Sequence, residues 1–246
     1  MPEVVSSWVK EKDMEKVNKI QDNILRAYES DFSKHTSNVE ANRISIIWNS
    51  IPSQISKENK KFLYQVAKDG ARAREYEGAL NWLRDANVVN KIYNVTKPSM
   101  PLISYNDLSS FKIYLNDVGL LRKMTDLDSK VIIEGNKLFE EFKGALTESY
   151  VLQTLLASGF NPYYFTFDNR YEIDCVIQYQ NEIYPIEVKS SENINNTSLK
   201  IYNEKFEPKI RLIFSMRNLN KDDNLINIPL FMVEYVKNIL TLTHET

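Results

Sequence analysis

The segment from Tyr171 to Lys189 constrains the fold more than any other. It offers two strand-like runs, Tyr171 to Tyr179 and Glu182 to Lys189, with only Gln180-Asn181 between them. Both runs are rich in β-branched and aromatic residues, and two residues suffice for a tight antiparallel hairpin. If Tyr179 pairs with Glu182, counting outward sets Asp174 opposite Glu187. Gln-Asn is not the preferred hairpin dipeptide, so a register slipped by one residue remains open at this point. Period two along the second run puts Lys189 on the face of Glu187. Two carboxylates opposed in a sheet repel by a few tenths to ~1 kcal/mol, and by more when buried. A sequence keeps such a pair most readily with a cation between them. Asp and Glu oxygens with a main-chain carbonyl are the hard ligands that Mg²⁺ prefers.

A third carboxylate joins them from a helix. Periodicity predicts a long helix over about 136–158, with a break at Gly144 and closure at Gly159. Its apolar stripe is Val151, Leu152, Leu155 and Leu156. Glu148 lies three, four and seven residues before members of that stripe, so it should face the sheet and need a partner there. A metal is one such partner; a cap role or a nearby Lys is the other.

Four helices are expected earlier: 13–34 on Val17, Ile20, Ile24, Leu25 and Tyr28; 38–50, ended by Pro52; about 58–68; and about 72–86 on Tyr76, Ala79, Leu80 and Leu83. A β-branched run, Val88 to Val95, follows, and Lys97-Pro98-Ser99-Met100-Pro101 breaks regular structure. Helices followed by a short hairpin have the outline of a winged helix-turn-helix. Residues 57–91 hold eight Lys and Arg against five acids. Arg72, Arg74 and Arg84 on the last helix are candidate nucleic-acid contacts. A small helical subdomain with solvated charges explains the same outline.

From Phe111 the pattern becomes α/β. A strand at Phe111 to Leu115 precedes a short helix through Leu120-Leu121. After the long helix come strands at Tyr163 to Phe167, the hairpin, a helix near 197–206, a strand at Ile210 to Phe214 and a closing segment 228–240. The expected class is α+β: a helical, winged region over 1–105 and an α/β domain with a mixed sheet flanked by helices over 106–246, meeting near 98–106.

Composition narrows the function classes. Lys plus Arg is 31 against 33 Asp plus Glu, so any nucleic-acid contact rests on a local patch. No apolar run reaches a membrane span. The N-terminus has neither a basic n-region nor an apolar h-region, so no secretory signal is expected. One cysteine, Cys175, forms no internal disulfide and fits a reducing cytoplasm. With two histidines, His35 and His244, a structural zinc site is not expected.

Glu148, Asp174 and Glu187-Val188-Lys189 resemble the PD-(D/E)xK signature of restriction-endonuclease-like nucleases, without the leading proline. The resemblance implies Asp174 and Glu187 as Mg²⁺ or Mn²⁺ ligands, Glu148 as an accessory ligand with the Val188 carbonyl as another, and Lys189 as the catalytic cation. A narrower resemblance rests on Phe111 to Leu121, Gly144 to Val151, Glu172-Ile173-Asp174 and Pro185 to Ser190. Together these look like the C-terminal half of prokaryotic AAA-type ATPases that carry a C-terminal domain of unknown function. Met1-Pro2-Glu3 resembles the end of their ATPase module. No G-x-x-x-x-G-K-[ST] is present, so no P-loop ATP binding is expected from this chain, which reads as a fragment or a separated half. That resemblance implies a P-loop ATPase module in cis.

Plainer readings stand beside these. Asp174, Glu187 and Lys189 also fit a salt-bridged sheet face. Cys175 alternates away from Asp174 and reads as a small core residue. His35 fits a helix C-terminus. Tyr163-Tyr164-Phe165 reads as strand core before base stacking. Thr197 or Ser198 reads as a helix N-cap, with Lys200 a candidate phosphate contact. The leading expectation is a DNA-associated, metal-dependent nuclease-like module; the alternative is a non-catalytic nucleic-acid-binding or regulatory domain.

Overall fold

The computed structural model describes residues 1–34, 36–57, 60–128, 131 and 140–244. His35 and the expected helix start at 136–139 lie outside the described residues. Contacts divide the chain into two compact units, 1–91 with 112–140 and 92–111 with 141–246. The chain thus changes unit within two strands. Residues 98–106, the expected boundary, fall inside the second unit.

The first unit holds α1 (Pro2–Glu11), α2 (Met14–Lys34), α3 (Asn38–Ile55), a single turn α4 (Tyr64–Ala67), α5 (Ala73–Asp85) and α6 (Val118–Met124). The α5 stripe is the expected one: Tyr76, Ala79, Leu80 and Leu83 are its buried residues. Asp117 caps α6, accepting from the Gly119 and Leu120 amides at 2.8 and 3.2 Å. Three helices differ from expectation. α1 is additional to the expected set. The helix expected over 58–68 is one turn. α3 does not stop at Pro52 but runs through it to Ile55. A mid-helix proline gives up one hydrogen bond and crowds the preceding turn. Here Ile51, Gln54 and Ile55 are buried, and the Gln54 amide both donates to Leu63 O at 2.8 Å and accepts from Leu63 N at 3.2 Å. Those gains offset the loss. Phe32 and Trp48 form the aromatic centre of this core, edge-on with centroids 5.7 Å apart.

An eight-stranded mixed sheet has the order β2-β1-β3-β4-β5-β6-β8-β7. Its strands are β1 (Val89–Val95), β2 (Asn106–Leu115), β3 (Tyr163–Phe167), β4 (Tyr171–Tyr179), β5 (Glu182–Val188), β6 (Arg211–Ser215), β7 (Asn220–Asp222) and β8 (Leu225–Pro229). The segment expected as a wing, β1, pairs in parallel with β3 at Asn94↔Tyr164 and so belongs to this sheet. β3, β4 and β5 form an antiparallel meander. A crossover through α8 (Thr197–Phe206) then makes β6 parallel to β5, and β8 is parallel to β6. α7 (Glu140–Ala157) is continuous through Gly144, and α9 (Val236–His244) closes the described chain. Gly159 takes φ +80° after α7, a conformation glycine adopts without strain. The N-cap of α8 is Asn196, whose side chain accepts from Leu199 N at 2.6 Å, rather than Thr197 or Ser198. Cys175 is fully buried, as expected of a small core residue.

Candidate functional site

The hairpin places the site. Gln180 and Asn181 both have positive φ, 46° and 63°, as a two-residue turn of this hand demands. Tyr179 pairs with Glu182, and the ladder runs unbroken to Cys175↔Ile186. The unslipped register therefore holds. One step beyond the last pair, Asp174 Oδ2 accepts the Val188 amide at 2.9 Å. This bond fixes the Asp174 carboxylate across the end of β5.

Glu187 is 6% exposed and Glu148, on α7, is 2% exposed. Lys189 follows β5 and donates from its backbone to Phe214 O at 2.8 Å. Its ammonium donates to Glu187 Oε1 at 2.8 Å. The other Glu187 oxygen, Oε2, is buried with no hydrogen-bond partner. Burial holds the Glu187 carboxyl well above the usual carboxylate range. The Asp174 charge pushes it the same way, Lys189 opposes, and Glu148 adds a smaller upward push. The fields of the other three groups thus meet at Glu187.

These residues fit a divalent ion in part. The isolated Oε2 beside Asp174 is an oxygen that a hard cation would take. Among the described residues, no group of three or more His, Cys, Asp or Glu side chains stands close enough together to hold a metal ion. Lys189 occupies the near side of Glu187 instead.

The basic residues expected to meet nucleic acid lie elsewhere. Arg72 precedes α5 and is exposed. Arg74 is 74% exposed and 3.9 Å from Glu75. Arg84 is paired with Asp85 at 2.8 Å. Lys200, in the first turn of α8, lines a cavity of about 360 Å³ with Arg211, Asp222 and Asp223, where acids match the cations. Tyr164 and Phe165 are core, as expected.

Sequence reasoning missed a polar cluster at the end of β6. Ser215 is fully buried and donates to Asn227 Oδ1 at 2.5 Å. Asn227, 4% exposed, donates to the Arg217 and Asn218 carbonyls. Asn227 sits between Ile226 and Ile228 in strand β8, an interruption in a buried apolar strand that could have flagged it.

The chain is thus a mixed α+β protein whose sheet sets two carboxylates and a lysine at the end of one strand. Residues 1–131, more than half of it, match the family model "Domain of unknown function (DUF8612)", and the chain belongs to that family. Residues 143–231, which include Glu148, Asp174, Glu187 and Lys189, match "Domain of unknown function (DUF4143)". No curated protein matches the chain. A solved structure, the crystal structure of protein VC1899 from Vibrio cholerae, is similar at 15% identity and a TM-score of 0.28. The match covers 84% of this chain and 57% of that one, so the chain spans little more than half of that protein's length. No described helix is long and apolar enough to cross a membrane.

Proposed function

We propose that the chain is a DNA-associated cytoplasmic module whose Asp174, Glu187 and Lys189 form a Mg²⁺- or Mn²⁺-dependent phosphodiesterase site. On this reading the second unit is restriction-endonuclease-like, α5 with its neighbours acts as a winged helix-turn-helix, and a P-loop ATPase module works in cis. The DUF4143 match supports the last point, since that domain occurs at the C-terminus of AAA-ATPase-associated proteins. The observation that carries the proposal is Glu187 Oε2, a buried and unpartnered carboxylate oxygen next to Asp174. A buried acid in that state carries a cost that a cation would remove.

Asp174 and Glu187 would hold the ion, with the Val188 carbonyl as a further ligand and Glu148 behind them. A bound ion would supply Lewis acidity and a lowered pKa for water. The chain's own contribution is to fix Asp174 through the Val188 amide and to hold the Lys189 ammonium at Glu187, where it can turn to a phosphate oxygen. Water would add to phosphorus, one P–O ester bond would break, and the departing oxygen would leave as a hydroxyl, its proton drawn from solvent as the attacking water gives up its own.

Calorimetry with Mg²⁺ and Mn²⁺ tests this. Binding should stabilise the fold by about 2.7 kcal/mol at a hundredfold excess over Kd. Asp174→Asn should abolish both binding and cleavage, while Lys189→Ala should keep or tighten binding and lose cleavage. No binding at millimolar metal sinks the reading. It would leave the non-catalytic regulatory module, which the Lys189–Glu187 ion pair favours.

The DNA role of α5 has its own test. Arg74→Ala should weaken duplex binding at all sequences alike and lower the salt slope by about one. Arg72→Ala should match it, and Arg84→Ala should do less because Asp85 already engages that side chain. Binding that ignores salt would remove α5 from the interface.

A further inference from the structure

The carboxyl ends of β5, β6 and β8 lie side by side because all three strands are parallel. Val188 pairs with Phe214, and Ser215 pairs with Pro229. Lys189 is one residue past its pair, while Arg217 and Phe231 are each two residues past theirs. Lys189, Arg217 and Phe231 thus follow three neighbouring strands in order and make a row along one edge of the sheet.

The row is built, not loose. The buried Ser215–Asn227 pair anchors the turn after β6, and Ser215 Oγ also accepts the Arg217 amide at 3.1 Å. Arg217 Nε donates to the Glu192 carbonyl at 2.5 Å. Met216 N donates to Ser191 O at 3.4 Å. Together these join the turn to the loop that follows Lys189. The rest of the guanidinium is left for a ligand. The segments after β6 and β8 also carry exposed apolar side chains: Phe231 is 73% exposed, Met216 56% and Leu219 50%. An exposed aromatic ring and a braced guanidinium that follow neighbouring strands at one sheet edge match the two needs of an unpaired polynucleotide, a stacking face for a base and a fork for a phosphate. A duplex keeps its bases inside the stack and offers nothing to Phe231.

We propose that this row is the substrate track of the phosphodiesterase site and that it takes single-stranded nucleic acid, with Arg217 as a phosphate-positioning residue and Phe231 as a base platform. The inference rests on the nuclease reading for its chemistry but not for its binding.

Anisotropy of labelled oligothymidylate and oligouridylate, in EDTA so that nothing is cleaved, tests it on the full chain. Phe231→Ala, at a position that is mostly solvent, should weaken binding about 5- to 100-fold. Arg217→Ala should weaken it and lower the salt slope by about 0.7. Arg217→Lys, which keeps the charge, should recover the slope but not the full affinity. Equal loss with both strands means the sugar is not read; loss with one names DNA or RNA, and either supports the track. A blunt duplex should bind more weakly and be indifferent to Phe231→Ala. Failure of single strands to bind, or binding untouched by both variants, overturns the track. Metal calorimetry stays unaffected by these variants, so the two ideas fail separately.

Discussion

Trp48→Ala is expected to cost about 3–5 kcal/mol, a large share of what a domain of this kind has. Trp48 is 1% exposed, and the rings of Tyr28 and Phe32 meet it edge-on at 6.1 and 5.7 Å. Removing it opens a cavity between α2 and α3 that two neighbouring aromatic rings can only partly refill. Trp48→Phe separates packing from hydrogen bonding. The indole Nε1 is buried with no acceptor, so losing that N–H forfeits nothing and removes a desolvated donor. The Phe variant should therefore lose much less than the Ala variant. Urea titration of both variants checks the order; a Phe variant as unstable as the Ala variant would mean that the N–H is bonded in solution.

Glu187→Gln should do two opposite things. In metal-free protein near neutral pH it should stabilise the fold by about 1–3 kcal/mol, because a buried charge is replaced by a neutral isostere while Lys189, 28% exposed, stays solvated. With divalent ion it should lose the stabilisation that the wild type gains. The pH dependence has a fixed sign. The folded pKa lies above the ordinary value of 4.5, so folding favours the protonated acid. That contribution is complete below 4.5 and is lost as pH rises through the folded pKa. The wild type should thus fall behind Glu187→Gln progressively with rising pH. A difference in melting temperature that stays constant from acid to neutral pH would place the Glu187 carboxyl in an ordinary environment.

Much of the second unit can be read from residues in order. The hairpin register follows from two loop residues and alternation, and it holds because a slip would turn Cys175, Ile177 and Ile186 out of the core. The α8 limits, Thr197–Phe206, are equally plain. What cannot be read depends on distant partners. Pro52 stays inside α3 because Gln54 finds Leu63. Phe32 is core although its neighbours on α2 are polar, because Trp48 and Trp82 meet it from other helices. β1 has the local pattern of a hairpin strand and does neighbour β2, but its second partner, β3, lies far along the chain. At the site, alternation yields the facing acids and the lysine. It cannot show that Lys189 takes one oxygen of Glu187 and leaves the other bare, since that is a matter of rotamers.

The pairing of β1 with β3 bears on synthesis. Asn94 accepts from the Thr166 amide, 72 residues later in the chain. A ribosome adding about 5–20 residues per second needs roughly 4–14 s to bridge that interval. Throughout it, β1 has β2 (Asn106–Leu115) on one side, but the edge that β3 will cover stands open. The antiparallel meander of β3, β4 and β5 closes on near neighbours and can form as soon as it emerges. The nascent chain therefore passes through a vulnerable interval set by topology alone, during which a chaperone or a premature neighbour competes for the same edge.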